Sequence, residues 1–248
     1  MLCANRFGTI APIPAVKFMI STVAVPAIAE QDYRKLLDGM RNISTECHRR
    51  SCRLGNAGVG KYGEGGESHH AMKATQYLIQ EHKLILRALD VLGAIGTSVE
   101  KTQTANQPDV AKILDFLRWF ADAHHQAKEE SIFFPALTHA AASQGRSVEH
   151  LTQEHNQERA LIEDLEKNVR LVKLAEFVST AHKLTAALRN HIFKEDRILF
   201  EEADAVFSVS EDQIVFDRLS GFDTARDKQV LDEKLRDLRA LEWTYLRK

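Results

Sequence analysis

Apolar residues recur every three or four positions in four separate stretches of this chain, and in each stretch a histidine takes a place in the apolar series. Steps of three and four return to one face of an α-helix. The first series is Leu78, His82, Ile85, Leu89, Leu92, and the second is Leu114, Leu117, Ala121, His125, Glu129, Ile132, Ala136. The third is Leu151, His155, Ile162, Leu165, Val169, with Glu158 on the same face. The fourth is Phe177, Ala181, Leu184, Leu188, His191, Glu195, with Ile198 and Phe200 close by. This pattern predicts helices over about 71–95, 108–141, 147–169 and 174–207. A fifth is expected at about 224–246, where Val230, Leu231, Leu235, Leu238, Leu241 and Trp243 recur among charges, packing on the others rather than on a second copy. Asn106, Gln107 and Pro108 suit a helix start, and Pro135 beside Phe133 and Phe134 marks a kink or the closing turns of the second helix. Gly145 with Ser147 is expected to close one helix and cap the next. Short connections favour antiparallel neighbours, so the fold class is all-α: an up-and-down four-helix bundle over 71–207 with a helical tail over 208–248.

The chemistry lies in what interrupts the apolar faces. His82, His125, His155 and His191 are separated by 43, 30 and 36 residues, and His125 and His191 are each followed four residues later by a glutamate, Glu129 and Glu195. Residues four apart share a helix face, so each pair can offer an imidazole and a carboxylate to one point. Burying several imidazoles and two ionised carboxylates without a compensating cation costs several kcal/mol per charge, against a total stability of about 5–15 kcal/mol. A metal ion removes that conflict. Mixed imidazole and carboxylate donors without thiolate favour iron, and six protein ligands exceed what one tetrahedral zinc needs. The natural arrangement is two irons, each with two histidines and sharing Glu129 and Glu195, with room for a bridging oxygen and an exogenous ligand. His124, Glu81 and Glu154 adjoin these positions in sequence and are expected to orient ligands or face solvent rather than to be additional ligands. Asp196 is the alternative to Glu195 as the fourth-helix carboxylate ligand, and Glu195 is preferred because Asp196 turns about 100° away.

The segments LIQEHKLILRALD (79–91), FADAHHQAKEESIFFPAL (120–137), LTQEHNQERALI (151–162) and NHIFKEDRILF (190–200) together resemble the hemerythrin-like, or HHE cation-binding, domain over about residues 72–205. The resemblance implies an oxo- or hydroxo-bridged pair of non-haem iron ions that binds oxygen, nitric oxide or related species, with roles in redox or nitrosative stress or in iron homeostasis. Oxygen-carrying hemerythrins place a second histidine four residues after the third-helix histidine, and an aspartate five residues after the fourth-helix histidine. Here Arg159 takes the former position and Asp196 the latter. Arg159 puts reversible oxygen carriage in doubt. The ligand set resembles instead the iron-sulfur repair and iron-sensing members, with Glu158 standing either as a replacement ligand or as a carboxylate at the mouth of the site. Two function classes follow: a module that captures or senses oxygen, nitric oxide or peroxide, and a redox enzyme reducing peroxide or nitric oxide. The chain has no glycine fingerprint for a dinucleotide and no cysteine cluster, so turnover requires an external reductant.

Composition narrows the partners. A net charge of −2 argues against nucleic acid, and no run of 18 or more uncharged apolar residues argues for a membrane span. Residues 1–70 hold all three cysteines and the run NAGVGKYGEGGES, and read as an extension that is disordered, removed, or upstream of a true start at Met72. FMISTVAVPAIA resembles a secretory cleavage region, but its apolar run is short. Chance explains Cys47, His48 and Cys52 better than zinc does. An odd cysteine count and a cysteine-free bundle point to a reducing, cytoplasmic setting, an exported form being the alternative.

Overall fold

The computed structural model describes residues 72–247. The expectations for residues 1–70, including the extension, the cleavage-like segment and the cysteine–histidine cluster, lie outside the described residues.

Four long helices form an up-and-down bundle. Helix α1 is Ala74–Thr102. Helix α2 runs continuously over 107–140: α-helical Gln107–Phe116, π-helical Leu117–Gln126 and Glu129–Phe133, and α-helical Phe134–Ala140. Helix α3 is Gly145–Arg170, and α4 runs over 174–206 with a π-helical turn, Glu195–Leu199, between Leu174–Lys194 and Phe200–Val206. Neighbours pack in the order α1, α2, α3, α4 and back to α1. Asn106 starts α2, its side chain accepting from the Asp109 amide, with Pro108 in the first turn where its missing N–H leaves nothing unbonded. The α2–α3 connection differs from expectation. Gly145 lies inside the first turn of α3 rather than closing α2, a short 3₁₀ turn, Ala142–Gln144, makes the link, and Ser147 caps nothing.

Two helices follow the bundle, where the periodicity marks out one. Helix α5, Val209–Ser220, starts at a capping box in which Ser208 and Glu211 satisfy each other's backbone amides, a signature too short for apolar periodicity to reveal. It packs on α1 and on the π-helical turn of α2 through Val215, Phe216 and Leu219. Helix α6, Ala225–Tyr245, packs on α1 and α2 with Leu231, Leu235, Leu238 and Leu241 inward, while Trp243 is exposed.

The interior is stratified. One apolar core is built from the α1 segment after Leu84, the first half of α2, Ile162 and Leu165, Phe177 to Ile192, and α6. A second lies at the other end, around Leu78, Phe133, Leu137, Leu151, Phe200 and α5. Between them each bundle helix contributes buried polar residues: Glu81 and His82, His124 to Glu129, His155 and Glu158, His191 and Glu195. A polar belt thus divides the bundle.

Candidate metal centre

The belt converges on one point. His82 from α1, His125 and Glu129 from α2, His155 from α3, and His191 and Glu195 from α4 are all buried. They form two groups, His82, His125, Glu129, Glu195 and Glu129, His155, His191, Glu195, in which one donor atom from each residue lies within 4.8 Å of the others. His82 Nε2 is 3.2 Å from Glu195 Oε2 and 3.9 Å from Glu129 Oε1, and His125 Nε2 is 3.4 Å from the same Glu129 oxygen. On the other side His155 Nε2 is 3.5 Å from Glu129 Oε2, His191 Nε2 is 3.2 Å from Glu195 Oε1, and the two imidazole nitrogens are 2.9 Å apart. Each glutamate therefore turns one oxygen to one histidine pair and its second oxygen to the other pair.

These side chains point inward because of local backbone geometry as well as apolar spacing. His125, Glu129 and Glu195 all sit in π-helical segments, where the wider turn accommodates an extra residue. After Glu195 this shifts the inward register by one. Leu199 is 2% exposed and Ile198 is 52% exposed, the reverse of what uninterrupted 3.6-residue spacing predicts.

Each imidazole is held from behind by an acid. Asp196 Oδ1 lies 2.7 Å from His82 Nδ1, Glu81 Oε2 2.9 Å from His125 Nδ1, Glu130 Oε1 2.7 Å from His155 Nδ1, and Glu154 Oε2 3.0 Å from His191 Nδ1. An ionised carboxylate only accepts, so each Nδ1 carries a hydrogen and each Nε2 is the nitrogen turned to the centre, free to give its lone pair to a cation once any proton on it is displaced. The acids form a cycle: α4 braces α1, α1 braces α2, α2 braces α3, and α3 braces α4. Asp196, Glu81 and Glu154 thus lie behind histidines on other helices. Glu130 completes the cycle without having been singled out in the sequence, although its place directly after Glu129 mirrors that of Asp196 after Glu195.

The donor atoms fit a cation. Both oxygens of Glu129, both oxygens of Glu195, and His82 Nε2 are buried without hydrogen-bond partners. Leaving such groups unsatisfied is costly. Donors about 2.0–2.2 Å from one metal ion stand roughly 3 to 3.5 Å from their neighbours in its shell, and the contacts here run from 2.9 to 3.9 Å. The proton affinities express the same strain. Burial and the charge of Glu195 hold the Glu129 carboxyl well above its usual range, whereas burial of Glu195 is overcome by His191 and His82, which hold it well below. Burial of His82 is outweighed by Asp196 and Glu195, and burial of His191 by Glu195, raising both to about 10. Burial takes His125 down to about 4, with the charge of His82 adding to it, and also lowers His155. Protons here occupy positions a cation would take.

The remaining candidates fall around this centre. Glu158 is buried outside both groups; its Oε2 accepts from Gln126 Nε2 at 2.7 Å, its Oε1 has no partner, and burial lifts its carboxyl to about 7. Arg159 turns outward, donating to Asp122 at 2.6 Å and to Glu130 at 2.8 Å. His124 lies 3.1 Å from the ammonium of the fully buried Lys128 and 3.0 Å from Asp223. Sequence reasoning missed Gln126, Lys128 and Asp223; only the charge of Lys128 at the end of an inward-facing segment could have flagged it. An open cleft of 450 Å³ is lined by Glu130, Phe134, Thr138 and Thr152 among others, and two of these residues touch His155 from outside the centre, Phe134 by stacking on its ring and Glu130 by accepting from its Nδ1.

No helix among the described residues is long and apolar enough to cross a membrane. No curated protein matches the chain. The sequence pattern of the hemerythrin HHE cation binding domain matches residues 73–203, which span the four bundle helices and all six converging donors. With that match and a buried His/Glu cluster able to hold metal, the chain belongs to the hemerythrin HHE cation-binding domain family.

Proposed function

We propose that the centre holds two iron ions, one by His82 and His125 and the other by His155 and His191, with Glu129 and Glu195 shared between them. The protein then binds or senses oxygen, nitric oxide or peroxide, as a reporter or buffer in redox or nitrosative stress or in iron homeostasis. The observation that carries this reading is the set of buried, unpartnered oxygens of Glu129 and Glu195, each carboxylate turned toward both histidine pairs. Imidazole and carboxylate together suit iron better than a thiolate-seeking ion.

When bound, the ions supply one-electron chemistry and, with six protein donors between them, coordination positions open to a small ligand. The chain's own residues supply the setting. The acid cycle fixes the four rings, the two apolar cores exclude bulk water, and Phe134 and Phe200 stack on His155 and His82 to limit their rotation. Iron per chain, measured by elemental analysis on protein from iron-replete cells, should approach two. Stopped-flow mixing of the reduced protein with oxygen, nitric oxide or peroxide then identifies the ligand. A chain that takes up no iron, or whose reduced form ignores all three, rejects the reading.

The Gln126–Glu158 pair favours a second reading, reduction of peroxide or nitric oxide by an external reductant. Glu158 is a buried carboxyl that holds a proton up to about pH 7 beside His191 and Glu195, as a proton donor to a reacting ligand requires. Multiple turnovers with a chemical reductant, slowed in Glu158→Gln, distinguish enzyme from sensor. Iron-sulfur cluster repair is a further use of the same centre, tested by iron transfer to a damaged cluster protein.

A further inference from the structure

Lys128 has no exposed surface, and a buried ammonium is tolerated only where it is paired. Its Nζ donates to Glu81 Oε1 at 2.6 Å and to the Tyr77 hydroxyl at 3.2 Å, and stands 3.1 Å from Asp223 Oδ1. The rings of Tyr77 and Phe222 face it with centroids at 5.1 and 5.8 Å. Glu81 spends its other oxygen on His125 Nδ1. A continuous line of charge therefore runs from Asp223, in the turn between α5 and α6, through Lys128 and Glu81 to His125.

We propose that the pair of helices beyond the family-matched region is a working part of the metal centre: Asp223 positions and tunes His125 through Lys128 and Glu81, so that metal held by His82 and His125 depends on this appendage and metal held by His155 and His191 does not. The inference rests on the two-metal reading. It follows from where each imidazole's acid finds its own partner. Glu130 is bound by Arg159 and Glu154 by Lys194, cations of the bundle itself, and Asp196 also comes from the bundle. Glu81 alone shares its cation with a residue from outside the family-matched segment. With Asp223 in place, the charge of Lys128 is divided between two carboxylates. Without it, that charge bears on Glu81 alone, and the negative potential at His125 Nδ1 falls, making the opposite nitrogen a weaker donor.

Asp223 is the point at which to cut this line: the cut also removes its 3.0 Å contact with His124, but the appendage is anchored elsewhere. Asp212 accepts from the Ala74 amide at 3.1 Å, Arg87 grips Glu242 through two nitrogens at 2.7 and 2.5 Å, Lys112 pairs with Asp237 at 3.0 Å, and the Tyr245 hydroxyl donates to Asp109 at 2.8 Å.

The test uses the full chain, cobalt(II) as probe, and Asp223→Asn with Asp223→Glu as the conservative control. Cobalt per chain, its retention against a competing chelator, and its visible absorption are measured, with circular dichroism and heat denaturation of the metal-free forms as the check on folding. In Asp223→Asn one cobalt should be held as in the wild type and the other about 10- to 100-fold more weakly, with changed absorption, and Asp223→Glu should restore both. Should Asp223→Asn not fold, Glu81→Gln cuts the same line one link nearer His125 and should produce the same selective loss. Two cobalt ions retained with unchanged absorption, or equal weakening of both, overturns the inference while leaving the two-metal reading intact. A wild type that binds no cobalt overturns the two-metal reading itself.

Discussion

Arg159 stands where the oxygen-carrying relatives have an imidazole, and its guanidinium is turned away from the four converging rings toward Asp122 and Glu130. Arg159→His therefore should not add a ligand. Metal content should stay at the wild-type value, and the measurable change should be faster metal loss to a chelator, because Glu130 loses one of its two partners. A new absorption band, or slower oxidation of an oxygen adduct, would show that position 159 can turn inward. Glu158 poses a separate question of proton energetics. Burial first, then the charge of Glu195, against the opposing pull of His191, lifts its carboxyl from 4.5 to about 7. The fold thus favours the protonated form, so the stability Glu158 contributes is complete below its unfolded value and is lost as the pH rises through the folded one. In metal-free protein, urea denaturation of wild type relative to Glu158→Gln should show the wild type losing about 3 kcal/mol between roughly pH 4 and pH 8, at about 1.4 kcal/mol for each pH step between the two values. Parallel stability curves across that range would mean that the carboxylate is relieved by water or a cation.

Among the elements, the α3–α4 connection carries a backbone strain that can be relieved cheaply: of the two non-glycine residues at positive φ among the described residues, Gln103 and Val172, it holds the β-branched one. Val172 is β-branched, 68% exposed, and sits at φ 55, the left-handed region that L side chains resist. Its amide donates to the Val169 carbonyl and so belongs to the closing turn of α3. Val172→Asn keeps that turn with a residue that tolerates it and loses little packing, so it should raise stability by about 1 kcal/mol in a urea titration and leave metal content unchanged. No gain would mean that Val172 packs in solution on something that Asn cannot replace. The helices themselves were legible in the sequence, because burying one face of an amphipathic helix leaves a period of three or four. The inward positions of His82, His125, Glu129, His155, His191 and Glu195 were legible for the same reason. What the period could not carry is the π-helical turn at Glu195–Leu199, since one extra residue per turn exposes Ile198 and buries Leu199 with no change in composition. Nor could it reveal α5, whose start is set by a local capping box, or Lys128, whose burial depends on Glu81 and on Asp223, 95 residues further along the chain.

Seen as a whole molecule, the bundle is two apolar cores held apart by a polar belt, and the belt is closed on itself by acids that each brace the histidine of the next helix. Every link of that cycle crosses a helix–helix boundary, so anything that loosens the centre loosens all four boundaries at the same level of the bundle. Metal that binds the folded chain and not the unfolded one stabilises it by mass action, by about 4 kcal/mol when free metal exceeds its dissociation constant a thousandfold. Removing metal should therefore lower the thermal midpoint, and it should do so unevenly. The buried oxygens of Glu129 and Glu195 are left with the imidazoles beside them as their compensation, while Leu89, Phe116, Leu184 and their neighbours keep their packing. Hydrogen exchange followed by mass spectrometry on metal-loaded and metal-free protein should show protection falling most in peptides covering about 78–85, 124–133, 151–158 and 188–199, the four places where the belt crosses the helices. The first core should exchange almost as slowly as before. A uniform fall across both cores would mean that the belt and the cores open as one unit, and an unchanged midpoint after metal removal would mean that the cycle of acids and imidazoles is stable on protons alone.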